Sequence, residues 1–119
     1  GSLHMMMLGA AGVSGGELNM LPKTYRKYFD LYESGNYLEA AHVYADIKRF
    51  SSYVKKWHGA HPRWIKMMMH IFKFPGSALR KPYRMPAAAE LQRFADGLLR
   101  LRLSEIDELA RAAGLAIPA

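Results

Sequence analysis

The stretch Pro75-Gly76-Ser77-Ala78-Leu79-Arg80-Lys81-Pro82-Tyr83-Arg84-Met85-Pro86 joins two helix-rich halves of the chain. Each proline holds its own φ at about −65° and biases the residue before it toward an extended backbone. A helix therefore has to end before this stretch, and a new helix has to begin after it. We name residues 75–86 the proline arm, and we expect it to be a stiff connector rather than a flexible linker.

The sequence outside the proline arm predicts a mainly α-helical chain. Apolar residues recur at helical spacing, and this spacing predicts helices at about residues 3–8, 20–34, 37–57, 63–72, 87–101 and 104–113. Asn19 and a weak capping box of Ser104 and Asp107 are the predicted N-terminal caps of two of them. Gly9, Gly35 and Gly114 are predicted helix ends. Tyr25, Tyr28, Phe29 and Tyr32 share one helical face, which is more typical of a core than of a base-stacking platform.

Gly12-Val13-Ser14-Gly15-Gly16 does not fit this helical pattern. It is too short and too rich in glycine for an ordinary amphipathic element. We expect a short buried strand that opens into a tight loop, where the backbone approaches another group closely.

Composition limits the possible functions. The 119 residues form at most one domain, and the half that are apolar can supply a core. The chain has no cysteine, which excludes disulfides, thiolate metal sites and cysteine nucleophiles and fits a cytoplasmic protein. No apolar run reaches the length of a membrane span, and residues 1–11 lack the basic region of a signal peptide.

The net charge of +7 is concentrated in residues 47–89, which contain no acidic side chain. The basic residues of this stretch are Lys48, Arg49, Lys55, Lys56, Arg63, Lys66, Lys73, Arg80, Lys81 and Arg84. Such a field favours nucleic acid, phosphates, an anionic membrane or an acidic partner chain. One interpretation is a basic helical module that binds nucleic acid or a partner, with the proline-arm cations on phosphates and Tyr83 stacking on a base. The other is a solvated face, or a surface that docks on an acidic barrel or a sister subunit.

Other reactive residues have simpler structural interpretations. Lys66 lies among apolar neighbours on a predicted helix and could act as a Schiff-base amine, and the alternative is a structural or surface role. His58, His61 and His70 have no cysteine or nearby carboxylate as co-ligands, so no metal site is expected. The two methionine triplets, residues 5–7 and 67–69, are typical of adaptable packing. The glycines of residues 12–16 do not have the spacing of a phosphate-binding loop.

Five segments occur in an order that is informative as a set. They are Leu8-Gly9-Ala10-Ala11-Gly12-Val13-Ser14 with Asn19, residues 33–41, residues 61–66, Leu79-Arg80-Lys81-Pro82 with Pro86, and residues 103–115. Together they resemble the C-terminal third of the dihydrodipicolinate synthase / N-acetylneuraminate lyase superfamily, the Schiff-base aldolases that handle pyruvate. The first segment is similar to the family's last barrel strand. One departure is a helix-sized segment between Pro86 and Leu103, which the family usually lacks.

The resemblance implies the last β-strand of a TIM (β/α)8 barrel followed by a C-terminal helical domain. Residues 1–21 would be the end of the barrel and residues 22–119 the helical domain. The family's catalytic lysine, tyrosine and threonines lie on earlier strands, so no catalytic residue is expected in this segment. Ser14, Gly15 and Gly16 would lie at the C-terminal end of the last strand, beside the substrate, with Glu17 or Asn19 near the mouth of the barrel.

The resemblance also implies partners. A lone strand cannot close a barrel, so we expect an upstream barrel segment or a partner chain to supply the other strands. The complete enzyme would act on pyruvate or another 2-keto acid without a cofactor, and it would form a homo-oligomer. The segment alone is expected to be inactive, and neither a membrane nor a nucleic acid is an expected partner.

Overall fold

A computed structural model describes residues 2–57 and 63–119, and it confirms that this part of the chain is mainly helical. Its helices are α1 (Ser2–Met7), α2 (Pro22–Glu33), α3 (Tyr37–Lys55), α4 (Arg63–Ile71), α5 (Ala88–Arg100) and α6 (Ser104–Ala112), with a 3-10 helix at Gly16–Asn19. The predicted turn at residues 59–62, the motif that begins at His61, and His58 lie outside the described residues. Within the described residues, no helix is both long enough and apolar enough to cross a membrane.

The short strand predicted in residues 12–16 does not form. Residues 10–15 have no regular secondary structure, and no β-strand occurs among the described residues. A strand exists only when its main-chain groups pair with a neighbouring strand, and the described part of this chain has none. The backbone of Gly15 is nevertheless extended, with φ −179° and ψ 157°.

The chain divides into two compact units, and the first ends at Lys48 while the second begins at Arg49. The predicted boundary after residue 21 separates a barrel strand from a helical domain, which is a different division, and it stays a prediction. We describe each unit separately.

Tyrosines of α2 and α3 form much of the core of the first unit. Tyr28 is fully buried, and its ring stacks on Tyr44 with a centroid distance of 5.6 Å. Tyr25 is also buried, and the ring of Phe29 lies 5.2 Å from that of Tyr28. The prediction that this face of α2 packs in a core is therefore confirmed for Tyr25 and Tyr28, whereas Phe29 and Tyr32 are half-buried.

The N-terminus of α2 differs from the prediction. Asn19 is the last residue of the 3-10 helix, and Leu21 occupies the capping position immediately before Pro22. The reason is that the carbonyl oxygen of Glu17 accepts hydrogen bonds from the backbone N–H groups of Met20 and Leu21, both at 3.0 Å. This turn includes Asn19 in the 3-10 helix, so the prediction of an Asn19 cap is wrong.

In the second unit, α5 packs against both α4 and α6. The largest fully buried side chains of this unit are Phe50, Val54, Met67, Met68, Phe94, Leu98 and Ile106. Two of them belong to the second methionine triplet, so its predicted packing role is confirmed. In the first triplet Met6 is buried, whereas Met5 and Met7 are exposed.

Basic side chains close the C-terminal ends of two helices in the second unit. The guanidinium of Arg49 donates a hydrogen bond of 2.6 Å to the carbonyl oxygen of Leu101, the residue that follows α5. The Lys73 ammonium donates one of 2.8 Å to the carbonyl oxygen of Ala113, the residue that follows α6. A helix C-terminus carries unpaired carbonyls and a partial negative charge, so a cation there is stabilising.

Lys73 and Arg102 adopt the left-handed backbone conformation that usually belongs to glycine, with φ values of 60° and 52°. Lys73 lies just past the end of α4, where its own N–H bonds His70 O at 3.2 Å and the next N–H bonds Met69 O at 2.8 Å. This is the geometry in which glycine often ends a helix. Arg102 lies just past α5 and donates to Pro118 O at 2.7 Å.

The start of α6 also differs from the prediction. Ser104 is the first helical residue, and Leu103 precedes it without a side-chain cap. Asp107 is buried, and its carboxylate accepts a hydrogen bond of 3.2 Å from Nε of Arg102. The predicted Ser104–Asp107 capping box is wrong, because Ser104 lies inside the helix and Asp107 pairs with Arg102.

The proline arm connects α4 to α5 without helix or strand, as predicted. Its first turn is tied to α4, because the Lys66 ammonium donates a hydrogen bond to the carbonyl oxygen of Gly76. Gly76 has φ +77°, which a side chain would strain. The predicted structural role of Lys66 is therefore confirmed.

We predict that Lys73→Met lowers the free energy of unfolding by about 1 kcal/mol, because it removes a charge-assisted hydrogen bond at a partly solvated helix end. Urea titration followed by circular dichroism measures the change. Lys81→Met is the matched control, because Lys81 is exposed on the proline arm, and it should change stability by less than about 0.5 kcal/mol. Equal losses in the two variants would contradict the assigned role of Lys73.

We predict that Gly97→Ala destabilises the second unit by about 1 to 3 kcal/mol, although alanine is the better helix former. A Cβ at Gly97 would lie 2.8 Å from Cζ of Tyr53 and closer still to its hydroxyl oxygen. The Tyr53 ring cannot move freely, because its hydroxyl donates to Phe94 O at 2.7 Å and its ring stacks on that of Phe94.

The same substitution made in a Tyr53→Ala background should be neutral or stabilising, since the obstructing ring is absent. Gly12→Ala is the matched control, because a Cβ at Gly12 meets nothing within 4 Å. Thermal unfolding of the four variants tests this, and a destabilising Gly97→Ala in the Tyr53→Ala background would refute the steric explanation.

Candidate functional site

The predicted substrate-side residues form one continuous loop at the surface of the first unit. Ser14 and Gly15 are exposed, and Gly16 is half-buried where it begins the 3-10 helix. Asn19 is exposed at the other end of that helix. The structure therefore keeps Ser14, Gly15 and Gly16 at the surface, together with the two residues predicted near the mouth.

A side chain at Gly15 would meet a close neighbour. A Cβ on Gly15 would lie 3.2 Å from Oε2 of Glu17 and 3.6 Å from Cδ1 of Leu18. The carbonyl oxygen of Gly15 also accepts a hydrogen bond of 3.3 Å from the N–H of Leu18. The Glu17 carboxylate therefore lies directly over the Gly15 backbone. A Cβ on Gly12 would have no neighbouring atom within 4 Å.

Glu17 also acts on Tyr25, which lies in the first turns of α2. Burial raises the pKa of Tyr25 to about 12, and the negative charge of Glu17 is the second cause, ahead of Tyr44 and Tyr28. Burial likewise raises the pKa of Tyr28. The Glu17 carboxylate thus lies next to Gly15 and also raises the pKa of Tyr25 in the core of the first unit.

This pairing was not predicted from the sequence. Glu17 was considered only as a residue near the mouth of a barrel, and Tyr25 only as part of a packing face. The two residues belong to different elements, and no helical or strand periodicity relates their positions. Only the 3-10 turn, which brings Glu17 back over Gly15, places the carboxylate near the start of α2.

The loop offers a hydroxyl, main-chain polar groups and one carboxylate. An exposed serine hydroxyl can donate and accept hydrogen bonds, and consecutive main-chain N–H groups of a glycine loop suit an anionic group such as a carboxylate. Among the described residues, no group of three or more histidine, aspartate or glutamate side chains is arranged to hold a metal ion. That the loop binds a substrate stays a prediction from the sequence.

We predict that the fold loses stability as the pH rises from about 10 to about 12, in part because of Tyr25. In this range the unfolded chain has released the Tyr25 proton, whereas the folded chain retains it. Unfolding then releases a proton, so a higher pH favours the unfolded state. Tyrosinate absorbance and denaturant midpoints across this range test the prediction. Tyr25→Phe should reduce the loss, whereas Tyr83→Phe, at an exposed position, should not.

Glu17→Gln should lower the pKa of Tyr25, because it removes the second cause of the shift and leaves burial unchanged. The difference in tyrosinate absorbance between Glu17→Gln and the double variant Glu17→Gln/Tyr25→Phe isolates the titration of Tyr25. A Tyr25 titration that Glu17→Gln leaves unchanged would contradict the proximity of the two side chains.

Comparison with known proteins identifies the family of this chain. The model of the dihydrodipicolinate synthetase family matches residues 2–99, which run from α1 to the last turn of α5. The match includes the proline arm and most of the helix that follows it, while α6 lies beyond its end. No curated protein and no solved structure matches the chain. Because the match covers most of its length, the chain belongs to the dihydrodipicolinate synthetase family.

Proposed function

We propose that this chain is the C-terminal part of a class I aldolase, or a related dehydratase, that acts on pyruvate or another 2-keto acid. The observation that supports this most directly is the family match over residues 2–99. The match is accompanied by a fold that contains no strand among the described residues, so the barrel of such an enzyme has to come from other residues.

In this proposal, residues 12–16 become the last strand of a (β/α)8 barrel when neighbouring strands are present. Two features support it: Gly15 is already extended, and residues 10–15 are free of helix. Residues 1–21 would then end the barrel and residues 22–119 would form the helical domain. Ser14, Gly15 and Gly16 would lie at the C-terminal end of the strand, where barrel enzymes bind their substrates.

The amine that attacks the keto group would lie outside this segment. Such an enzyme forms a Schiff base between a lysine amine and the substrate carbonyl, and it needs no further cofactor. Lys66 is a poor candidate, because its ammonium is engaged by the carbonyl oxygen of Gly76. The segment therefore completes the barrel and supports the contacts of a homo-oligomer, and it is inactive alone. A cytoplasmic location stays a prediction from the sequence.

The alternative of a nucleic-acid-binding module is not favoured. Three of the basic residues in the acid-free stretch, Arg49, Lys66 and Lys73, donate to main-chain carbonyls of the chain itself. Arg49 and Lys73 stabilise the C-terminal ends of helices, and Lys66 holds the start of the proline arm against α4, so these three cations have roles within the fold. The remaining cations do not form a continuous track along one helix face.

The proposal predicts where a reduced pyruvate adduct forms. Treating the 119-residue chain with pyruvate and borohydride should leave its intact mass unchanged, because the proposal puts the Schiff-base lysine outside it. The same treatment of a longer polypeptide that carries the upstream barrel, or of a reconstituted two-chain enzyme, should add one reduced adduct outside residues 1–119.

Peptide mapping locates the adduct, and omission of pyruvate is the control. An adduct on the 119-residue chain that Lys66→Arg abolishes would overturn the assignment and make Lys66 the nucleophile. Absence of an adduct from the longer, folded enzyme would overturn the aldolase proposal itself.

A further inference from the structure

The second unit contains a groove between α4, α5 and the C-terminal residues of the chain. Its volume is about 390 Å³, which is in the size range of small-molecule sites in proteins. One wall is apolar, because α5 contributes Leu91, Ala95 and Leu99, which are spaced four residues apart on one helical face. Ile71 of α4 and Leu115 of the C-terminal segment add to this apolar lining.

The C-terminal wall of the groove is held by hydrogen bonds from distant residues. The Lys73 ammonium donates to the carbonyl oxygen of Ala113 at 2.8 Å, and the Arg102 guanidinium donates to that of Pro118 at 2.7 Å. These two anchors lie on either side of Leu115 along the chain. The groove is therefore formed before a ligand arrives, which reduces the entropy that binding has to offset.

The polar side chains that line the groove favour an anionic ligand. They belong to His70, Lys73 and Gln92, and none of the described residues that line the groove is acidic. An ammonium group has three N–H donors, and Lys73 uses one of them for Ala113, so two can bind a ligand. Residues 49–119 carry thirteen basic and five acidic side chains, a formal charge of +8, which also attracts anions.

We propose that this groove binds a small amphipathic carboxylate, of which a medium-chain fatty acid is the simplest example. Its apolar part would lie against Leu91, Ala95 and Leu99, and its carboxylate would accept hydrogen bonds from Lys73 and His70. Burial of the chain supplies affinity, and a charge-assisted hydrogen bond fixes the orientation of the head group. An uncharged head group would lose this hydrogen bond, and an ammonium head group would face two basic side chains.

A second groove, in the first unit, offers a comparison within the same chain. Its volume is about 460 Å³. It is lined by Leu3, Met7, Tyr32, Tyr37 and Ala41. Its described lining is apolar and has no charged side chain, so apolar burial alone would make this groove at least as good a site. A carboxylate that prefers the groove of the second unit therefore does so because of the basic side chains there.

Titration of the 119-residue chain with sodium octanoate, below its micelle-forming concentration, tests the proposal. Calorimetry should show saturable binding of one octanoate per chain. Amide NMR spectra should show shifts along the apolar face of α5 and at Leu115, and not at Leu3 or Met7 of the first unit. Octanol and octylammonium should bind at least roughly tenfold more weakly, because neither can accept a charge-assisted hydrogen bond from Lys73.

Variants separate the head-group contact from the apolar contact. Lys73→Met should weaken octanoate binding roughly tenfold, whereas Lys73→Arg should preserve most of it. Lys81→Met is the matched control, because it removes the same charge from an exposed position on the proline arm. Ala88→Trp places a large ring at an exposed position that lines the groove, and it should block binding without changing any charge. Circular dichroism shows whether each variant is folded, and Ala88→Trp keeps the test decisive if Lys73→Met unfolds.

Four outcomes would overturn the proposal. They are the absence of saturable octanoate binding, equal affinity for octanol, binding that Ala88→Trp leaves unchanged, and shifts confined to the groove of the first unit. Shifts of the α5 face that follow protein concentration alone would show that a second copy fills the groove, and they would overturn it as well. The site lies outside the glycine loop and needs no Schiff base, so it stands or fails separately from the pyruvate experiment.

Discussion

Cationic side chains that donate to carbonyl oxygens at helix C-termini link distant elements of the second unit. Arg49 and Lys73 satisfy the carbonyls of Leu101 and Ala113, the residues at which α5 and α6 end. A helix leaves its last carbonyls without intrahelical partners, and the aligned peptide dipoles make that end negative. These two hydrogen bonds connect residues about forty to fifty positions apart, so they fix elements that the local chain could not hold together.

Because these cations bind main-chain carbonyls, the net charge of the chain is not all available to bind another molecule. A stretch of 43 residues without an acid looks like a binding surface when it is read along the sequence. In the folded chain, Lys66 and Lys73 donate hydrogen bonds to main-chain carbonyl oxygens, whereas the cations of the proline arm and Lys55 and Lys56 of α3 are exposed.

The sequence predicts where in the chain the candidate site lies, but not how its side chains are arranged. The resemblance of residues 8–14 and Asn19 to the family's last barrel strand predicts the place of the loop, and the structure keeps Ser14, Gly15 and Gly16 at the surface. The predicted strand does not form, because strand structure depends on a neighbouring strand and not on local preference alone. The position of Glu17 over Gly15 and beside Tyr25 was unpredictable, since it depends on a 3-10 turn that no periodicity marks.

The sequence by itself determined the number and approximate bounds of the helices, because apolar spacing and glycine are local signals. Gly9, Gly35 and Gly114 end helices with φ values of 97°, 82° and 74°, as their conformational freedom allows. Only the tertiary structure decided that Lys73 and Arg102 end helices in the same conformation. Their strain is compensated by hydrogen bonds to Ala113 and Pro118, distant partners that no local pattern reveals.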